Sequence, residues 1–207
     1  MHLGLLSTGC KKVHNEPAPA DLKWSKIVIK NEYFVSAIYK NNNGQIIAGT
    51  NQNIVRTADS GNTWIVVARN VNQIREFVNV KDTLFAIADW FDYYSLNDGI
   101  SWQVLDYDKI SVNKSQIASN DKYMFKLVHN SNGELTTPTD VLMSEDNGRS
   151  WRNIYPYKND ITSVYVDNQN KIYLGMSGRV WDNNTGWFVE PNNPSDAIIY
   201  YSVINKE

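Results

Sequence analysis

Three eight-residue segments of the chain combine hydroxyl, acidic and aromatic side chains at one fixed spacing. They read TADSGNTW from Thr57 to Trp64, SLNDGISW from Ser95 to Trp102, and SEDNGRSW from Ser144 to Trp151. All three octets fit the pattern S/T-x-D/N-x-G-x-S/T-W. A carboxylate between two hydroxyl groups could serve in acid–base catalysis. The same residues could instead hold a turn, because Asp and Ser oxygens accept hydrogen bonds from nearby backbone N–H groups.

The octets recur in phase with a pattern of short apolar segments. Trp64 and Trp102 are 38 residues apart, Trp102 and Trp151 are 49 apart, and a degenerate copy, WDNNTGW, ends at Trp187. Spacings near 40 residues are typical of a four-stranded propeller blade. Each interval contains an apolar strand A, an Asn/Asp-rich turn and a strand B. A link then leads to strand C, and the octet forms the turn into strand D.

This pattern predicts an all-β fold, a β-propeller of about four to five four-stranded blades. The segment LKWSKIVI near the start resembles a strand D without an octet, and DAIIYYSVINKE at the end resembles a strand A. These two strands together would make a reduced fifth blade. Alternatively, the propeller is incomplete at its C-terminus and belongs to a larger ring. The second alternative is favoured, because a two-stranded blade would close the ring weakly.

The octets resemble the Asp-box, or BNR, repeat of sialidase-like β-propellers. The resemblance covers three full octets and the degenerate copy, and it implies that the octets are structural. The first hydroxyl, the acid or amide, the glycine and the tryptophan of each would hold the turn between strands C and D. These residues are Thr57, Asp59, Gly61, Trp64, Ser95, Asn97, Gly99, Trp102, Ser144, Asp146, Gly148 and Trp151.

The resemblance does not extend to the catalytic residues of sialidases. Such enzymes use three arginines to hold a carboxylate, a tyrosine nucleophile paired with a glutamate, and an aspartate acid/base. The Arg-Ile-Pro signature of the family is absent here, and no pair of carboxylates stands out as a glycosidase pair. We therefore expect no catalytic residues. The alternatives are a degenerate or truncated sialidase-like glycoside hydrolase, or a factor that assembles a protein complex.

Composition excludes several other classes of function. The formal net charge of -2 and the pI near 5.9 provide no basic field for nucleic acid. His2, His14 and His129 are scattered and give no metal-ligand spacing, and no glycine-rich loop would cradle a phosphate. We expect no cofactor and no metal.

The N-terminal segment resembles a bacterial lipoprotein signal. MHLGLLSTGC ends in small residues before Cys10, the single cysteine of the chain. The expected organisation is a partial signal peptide over residues 1–10, a flexible linker over 11–21 and the propeller over 22–207. The protein would then lie in the bacterial cell envelope, lipid-anchored through Cys10 to the outer membrane, or be secreted. The alternative is a disordered tail with a free thiol.

Blade topology indicates where a ligand would bind. The turns between strands A and B lie on the same face as the octets, so the B–C links and D–A connections form the opposite face. There we predict a recognition surface for a glycan or a protein partner, with aromatic platforms beside polar groups. The candidate residues are Asp89, Trp90, Phe91, Tyr93, Tyr107, Asp108, His129 and Tyr157. Packing of Trp90 and Phe91 against the molecule itself is the alternative.

The lipid anchor gives the first testable prediction. Protein extracted from native membranes should have an intact mass that lacks residues 1–9 and carries an acyl modification on Cys10. Cys10→Ser should move the protein to the soluble fraction, because no thiol remains to be acylated. A membrane-bound protein whose cysteine is unmodified would contradict the expectation.

Overall fold

The computed structural model describes residues 22–105, 117–129, 138–190 and 196–204 of the 207-residue chain. Every regular element in these ranges is a β-strand, and none of the described residues forms a helix that could cross a membrane. In chain order the strands are β1 (Ser25–Ile29), β2 (Ala37–Lys40), β3 (Ile46–Gly49), β4 (Asn53–Thr57), β5 (Ile65–Arg69), β6 (Ile74–Val80), β7 (Thr83–Ala88), β8 (Tyr93–Ser95), β9 (Gln103–Val104), β10 (Ile117–Ser119), β11 (Met124–His129), β12 (Thr139–Ser144), β13 (Arg152–Asn153), β14 (Ile161–Val166), β15 (Lys171–Met176), β16 (Val180–Asp182), β17 (Trp187–Val189) and β18 (Ala197–Val203).

The strands form four antiparallel four-stranded sheets, arranged as a four-bladed β-propeller. Blade 1 has the order β2-β3-β4-β5, blade 2 the order β6-β7-β8-β9 and blade 3 the order β10-β11-β12-β13. Within these blades the strands follow the predicted A-B-C-D succession, and each octet joins strand C to strand D. The predicted all-β propeller is therefore confirmed.

Blade 4 confirms the predicted strand D near the start of the chain and corrects the role of the segment at the end. Its order is β14-β15-β18-β1, so β18 is strand C and β1 is strand D. Ile27 pairs with Ile199, and Ile29 pairs with Ala197. The two end strands thus complete the fourth blade, so within the described residues they do not form a reduced fifth blade, and β18 is not a strand A.

The degenerate fourth copy also has a different place from the predicted one. Its strands β16 and β17 pair with each other as a separate two-stranded hairpin, inserted between β15 and β18. The turn has the Asx chemistry of the octets: Asp182 Oδ1 accepts a hydrogen bond from the Asn184 N–H at 2.8 Å. The Asx-type turn gives this hairpin the sequence pattern of a C–D hairpin. In the structure, strand D of blade 4 is β1.

Apolar side chains from adjacent blades form shared cores. One cluster joins blade 4 to blade 1 through residues such as Ile29, Ile199 and Val55. A second joins blades 1 and 2, and a third joins blades 3 and 4. Because each of these three cores is filled from two blades, a blade is stabilised mainly by its neighbours.

The two faces of the propeller differ in the segments they carry. The octet face carries the A–B turns and the octets: Asn41 Nδ2 in the first A–B turn donates to the carbonyl oxygen of Asp98 in the second octet at 3.1 Å. The link face carries the B–C links and D–A connections. There the Val71 N–H donates to the Gln52 carbonyl at 3.0 Å, and the Ser177 N–H donates to the Asp160 carbonyl at 3.0 Å.

Ring closure by β1 predicts which residues control stability. Ile29 is 1% exposed, so Ile29→Ala should lower the free energy of unfolding by about 2–5 kcal/mol. Val189→Ala, in the hairpin strand that the sequence pattern assigns to strand D, should cost much less because Val189 is 40% exposed. Urea unfolding measures both, with Ile65→Ala on the exposed outer strand of blade 1 as the control. Equal losses for Ile29→Ala and Val189→Ala would contradict this closure.

Candidate functional site

The hydrogen bonds of the octets are internal to each turn. In the first octet, Thr57 Oγ1 accepts from the Gly61 N–H at 2.9 Å and donates to Asp59 Oδ1 at 2.7 Å. Asp59 also accepts from the N–H of Thr63 at 2.9 Å and from its hydroxyl at 2.6 Å. Ser144, Asp146, Gly148 and Ser150 make the same four bonds in the third octet. The oxygens that could have done chemistry are thus engaged in holding the turn.

The second octet keeps this network with an amide in place of the carboxylate. Asn97 Oδ1 accepts from the Ser95 hydroxyl and from the Ser101 N–H, both at 2.9 Å. The last bond is reversed: Asn97 Nδ2 donates to Ser101 Oγ at 2.9 Å, whereas in the other octets the hydroxyl donates to the carboxylate. A hydroxyl can rotate to do either, so the turn needs one acceptor oxygen and tolerates loss of the charge.

The glycines of the octets satisfy both a backbone and a packing requirement. Gly61 and Gly99 have φ of 96° and 86°. A Cβ on Gly61 would lie 2.2 Å from Ile27 Cγ2 of blade 4, and one on Gly99 would lie 2.2 Å from Ile47 Cδ1 of blade 1. Each of these octets therefore packs on the preceding blade. Trp64 and Trp102 pack against the shared cores at the same two junctions.

The innermost strands of the four blades line a central cavity of about 300 Å³. Tyr39 and Tyr165 stand in edge contact, with ring centroids 5.9 Å apart, and Tyr39 lies 6.5 Å from Phe77. Burial raises the pKa of Tyr165 to about 12, and its hydroxyl donates to the Lys40 carbonyl at 3.2 Å. Arg75 contributes to the lining near the start of β6, where the cavity approaches the link face.

The B–C link of blade 2 presents two large aromatic side chains to solvent beside an ion pair. Trp90 is 74% exposed and Phe91 is 59% exposed. The neighbouring Asp89 forms an ion pair with Arg75, which lines the central cavity. Asp92 is buried, and its carboxylate accepts from the Ala88 N–H at 3.0 Å, which fixes the start and end of the link. The backbone of the link is therefore held at both ends, and the side chains of Trp90 and Phe91 point to solvent.

The other predicted binding residues are distributed differently. Tyr93 lies in the core shared by blades 1 and 2 and is 8% exposed, which removes it from the candidate surface. Its alternating position in β8 turns it inward. Tyr157 is exposed on the connection from blade 3 to blade 4, in edge contact with the buried Tyr155. Tyr107 and Asp108 lie outside the described residues, as does the side chain of His129.

A second group of charged and aromatic side chains lies on the link face and is not among the predicted candidate residues. Asp160 is buried and forms an ion pair with Arg179, just before the inserted hairpin. Lys158 Nζ lies 5.6 Å from the ring centroid of Trp181, and Trp187 on the other hairpin strand is 48% exposed. The assignment of this segment to a C–D hairpin placed it on the octet face. An Arg and two Trp residues in an unusually long connection would have been the available signal.

Most arginines of the chain are engaged with side chains of the scaffold. Arg56 donates to Gln45 at 2.8 Å, and Arg152 pairs with Glu145 beside the third octet. Together with the pairs of Arg75 and Arg179, these contacts disperse the guanidinium groups over several blades. Burial raises the pKa of Tyr155 and of Tyr173, which disfavours a phenolate nucleophile at either position. In the ranges that the structure covers, no three His, Cys, Asp or Glu side chains form a metal-binding group.

No protein-family model and no curated protein matches the chain. Among solved structures, it is similar to the extracellular domain of a hybrid two-component system from B. thetaiotaomicron, with 16% identity and a TM-score of 0.38 over 83% of this chain and 23% of that one. It is similar to an ancestral GH74 enzyme, with 17% identity and a TM-score of 0.33 over 84% of this chain and 28% of that one. A nidogen/laminin complex has 13% identity and a TM-score of 0.33, with coverages of 79% and 62%. The chain spans about a quarter of the length of the first two structures.

The octet network predicts how stability depends on pH. The Thr63 hydroxyl and N–H, with Thr57, lower the pKa of Asp59 to about 2, and Ser150 does the same for Asp146. A carboxyl whose pKa is lower in the folded state stabilises the protein above its unfolded value near 4. That stabilisation is lost as the pH falls from about 4 to about 2. Asp59→Asn with Asp146→Asn should therefore flatten the dependence of unfolding free energy on pH across this window.

The second octet provides the matched control. Asn97→Asp should add a third carboxylate of the same kind and steepen the same pH dependence. Chemical unfolding at several pH values between 2 and 5 measures all three proteins. Identical slopes in the wild-type protein and in the double variant would contradict the network.

Proposed function

We propose that the protein is a non-catalytic Asp-box β-propeller that binds a glycan or a protein partner at the bacterial cell surface. The observation that carries the proposal is the exposure of Trp90 and Phe91. They lie beside the ion pair of Arg75 and Asp89, at the link-face end of the central cavity. Exposed aromatic side chains of this size contribute binding energy mainly when a ligand covers them.

The chemistry of this surface suits a ligand with both apolar and hydrogen-bonding parts. An aromatic ring offers a flat face for a sugar ring or a peptide side chain, and the Asp89 carboxylate is a hydrogen-bond acceptor at its edge. Because Asp92 fixes the link through a buried hydrogen bond, the two rings would lose little conformational freedom on binding. A pre-organised platform favours recognition over a purely structural role.

The dispersal of the arginines supports the non-catalytic assignment over the alternative of a degenerate or truncated glycoside hydrolase. A carboxylate clamp requires guanidinium groups that converge on one point, whereas Arg56, Arg152 and Arg179 are held by separate partners. A role in assembling a protein complex uses the same surface and is covered by the proposal when the partner is a protein. The lipid anchor on Cys10 would place this surface outside the cell.

The test is to replace both aromatic side chains of the link. Trp90→Ala with Phe91→Ala should abolish at least nine-tenths of the signal on glycan and peptide arrays, since the platform is removed. Stability should change little, because both side chains are exposed.

The same blade offers a matched control on the opposite face. Leu96 and Ile100 of the second octet are 69% and 52% exposed, so Leu96→Ala with Ile100→Ala removes a comparable apolar area. This control should bind as the wild-type protein does. Unchanged array binding by the Trp90/Phe91 variant, with its fold intact, would refute the proposed site.

A further inference from the structure

A groove of about 350 Å³ lies at the junction where blade 4 meets blade 1. It is lined by the end of β1 and the residues after it, together with β4 and β5 of blade 1. Its lining includes an apolar set, with Trp64 and Val66, and a polar set, with Lys30, Glu32, Asn53 and Arg69. The polar set stands at the link-face ends of the strands, and the apolar set continues toward the octet face.

Glu32 differs from Asp160 and Asp167, two other buried acids of the described chain. It is 7% exposed, and its Oε1 accepts a hydrogen bond from Asn53 Nδ2 at 2.7 Å. Asp160 and Asp167 are buried to a similar degree, and they pair with Arg179 and Lys40. Glu32 takes part in none of the ion pairs found among the described residues. A buried carboxylate held by a neutral amide alone is costly, and a cation in the groove would offset that cost.

Strand pairing sets a guanidinium group on the same side of blade 1 as this carboxylate. Asn53 and Arg69 are directly paired on β4 and β5, so their side chains leave the sheet on the same face. Asn53 reaches across to Glu32, which shows that this face looks toward the junction. Arg69 is exposed and forms no ion pair within the described part of the chain.

The groove thus combines a buried acid and an exposed arginine that form no ion pair among the described residues, an ammonium group on Lys30, and apolar side chains. Val55 and Val66 are also paired on this face, and Trp64 stands next to them in the lining. The indole N–H of Trp64 is buried without an acceptor. An ammonium group and a carboxylate group on one carbon, followed by an apolar side chain, match this order of features.

We propose that the groove binds a free α-amino acid with an apolar or aromatic side chain. Glu32 accepts hydrogen bonds from its ammonium group, Arg69 holds its carboxylate, and Val66 and Trp64 contact its side chain. The site is separate from the aromatic link of blade 2 and does not depend on the function proposed for that link. Because it bridges blade 4 and blade 1, a bound ligand would also stabilise the closed ring.

Calorimetric titration of the full chain with three related probes tests the proposal. L-Phenylalanine carries both charged groups, 2-phenylethylamine lacks the carboxylate, and 3-phenylpropionate lacks the ammonium group. We expect L-phenylalanine to bind at least tenfold more tightly than either analogue. Glucose serves as a neutral polar probe, and binding of glucose in preference to L-phenylalanine would overturn the proposed ligand class.

Two variants test which residue binds each charged group of the ligand. Arg69→Met should remove the advantage of L-phenylalanine over 2-phenylethylamine, and Glu32→Gln should remove its advantage over 3-phenylpropionate while keeping the oxygen that Asn53 contacts. Arg69 is exposed, so its variant should fold even if Glu32→Gln does not. Arg149→Met, which removes an exposed arginine from the third octet, should bind as the wild-type protein does. Absence of L-phenylalanine binding, or unchanged selectivity in Arg69→Met, would overturn the proposal.

Discussion

The antiparallel pairing of β1 with β18 is the constraint on which the rest of the structure depends. It joins residues 25–29 to the strand that ends the described chain, and so completes the fourth blade from two distant segments. Without this pairing, the core between blades 4 and 1 would lose Ile27 and Ile29, and blade 1 would have no neighbour on that side. Shared cores then cover blade 1 on both flanks, toward blade 4 and toward blade 2, and a further core joins blade 4 to blade 3.

The two faces of the propeller differ in how their polar and aromatic side chains are used. On the octet face, the hydroxyl and carboxylate oxygens are committed to the turn, and the glycines are committed to close packing on the preceding blade. Asn97 shows that one acceptor oxygen suffices, which is a structural and not a catalytic requirement. On the link face, the connections carry exposed side chains such as Trp90, which is not part of the three shared cores.

Local signals in the sequence predicted the parts of the fold that local physics determines. The octet turns and the succession of strands in the first three blades follow from turn chemistry and from position along a blade. The roles of β18 and of the hairpin β16–β17 could not be predicted in this way, since strands A and C carry the same alternating pattern. The groove at Glu32 could not be predicted from the sequence for a different reason. Its two walls come from blade 4 and blade 1, which become neighbours only when β1 joins blade 4.

Hydrogen–deuterium exchange resolved to short peptides tests the closure most directly. If β1 is strand D of blade 4, the amides of residues 25–29 should exchange as slowly as those of β15, because both belong to one cooperatively unfolding sheet. The hairpin residues 187–189 should exchange faster, since they pair with a single neighbouring strand. Rapid exchange over 25–29 together with slow exchange over 187–189 would contradict the four-bladed ring described here.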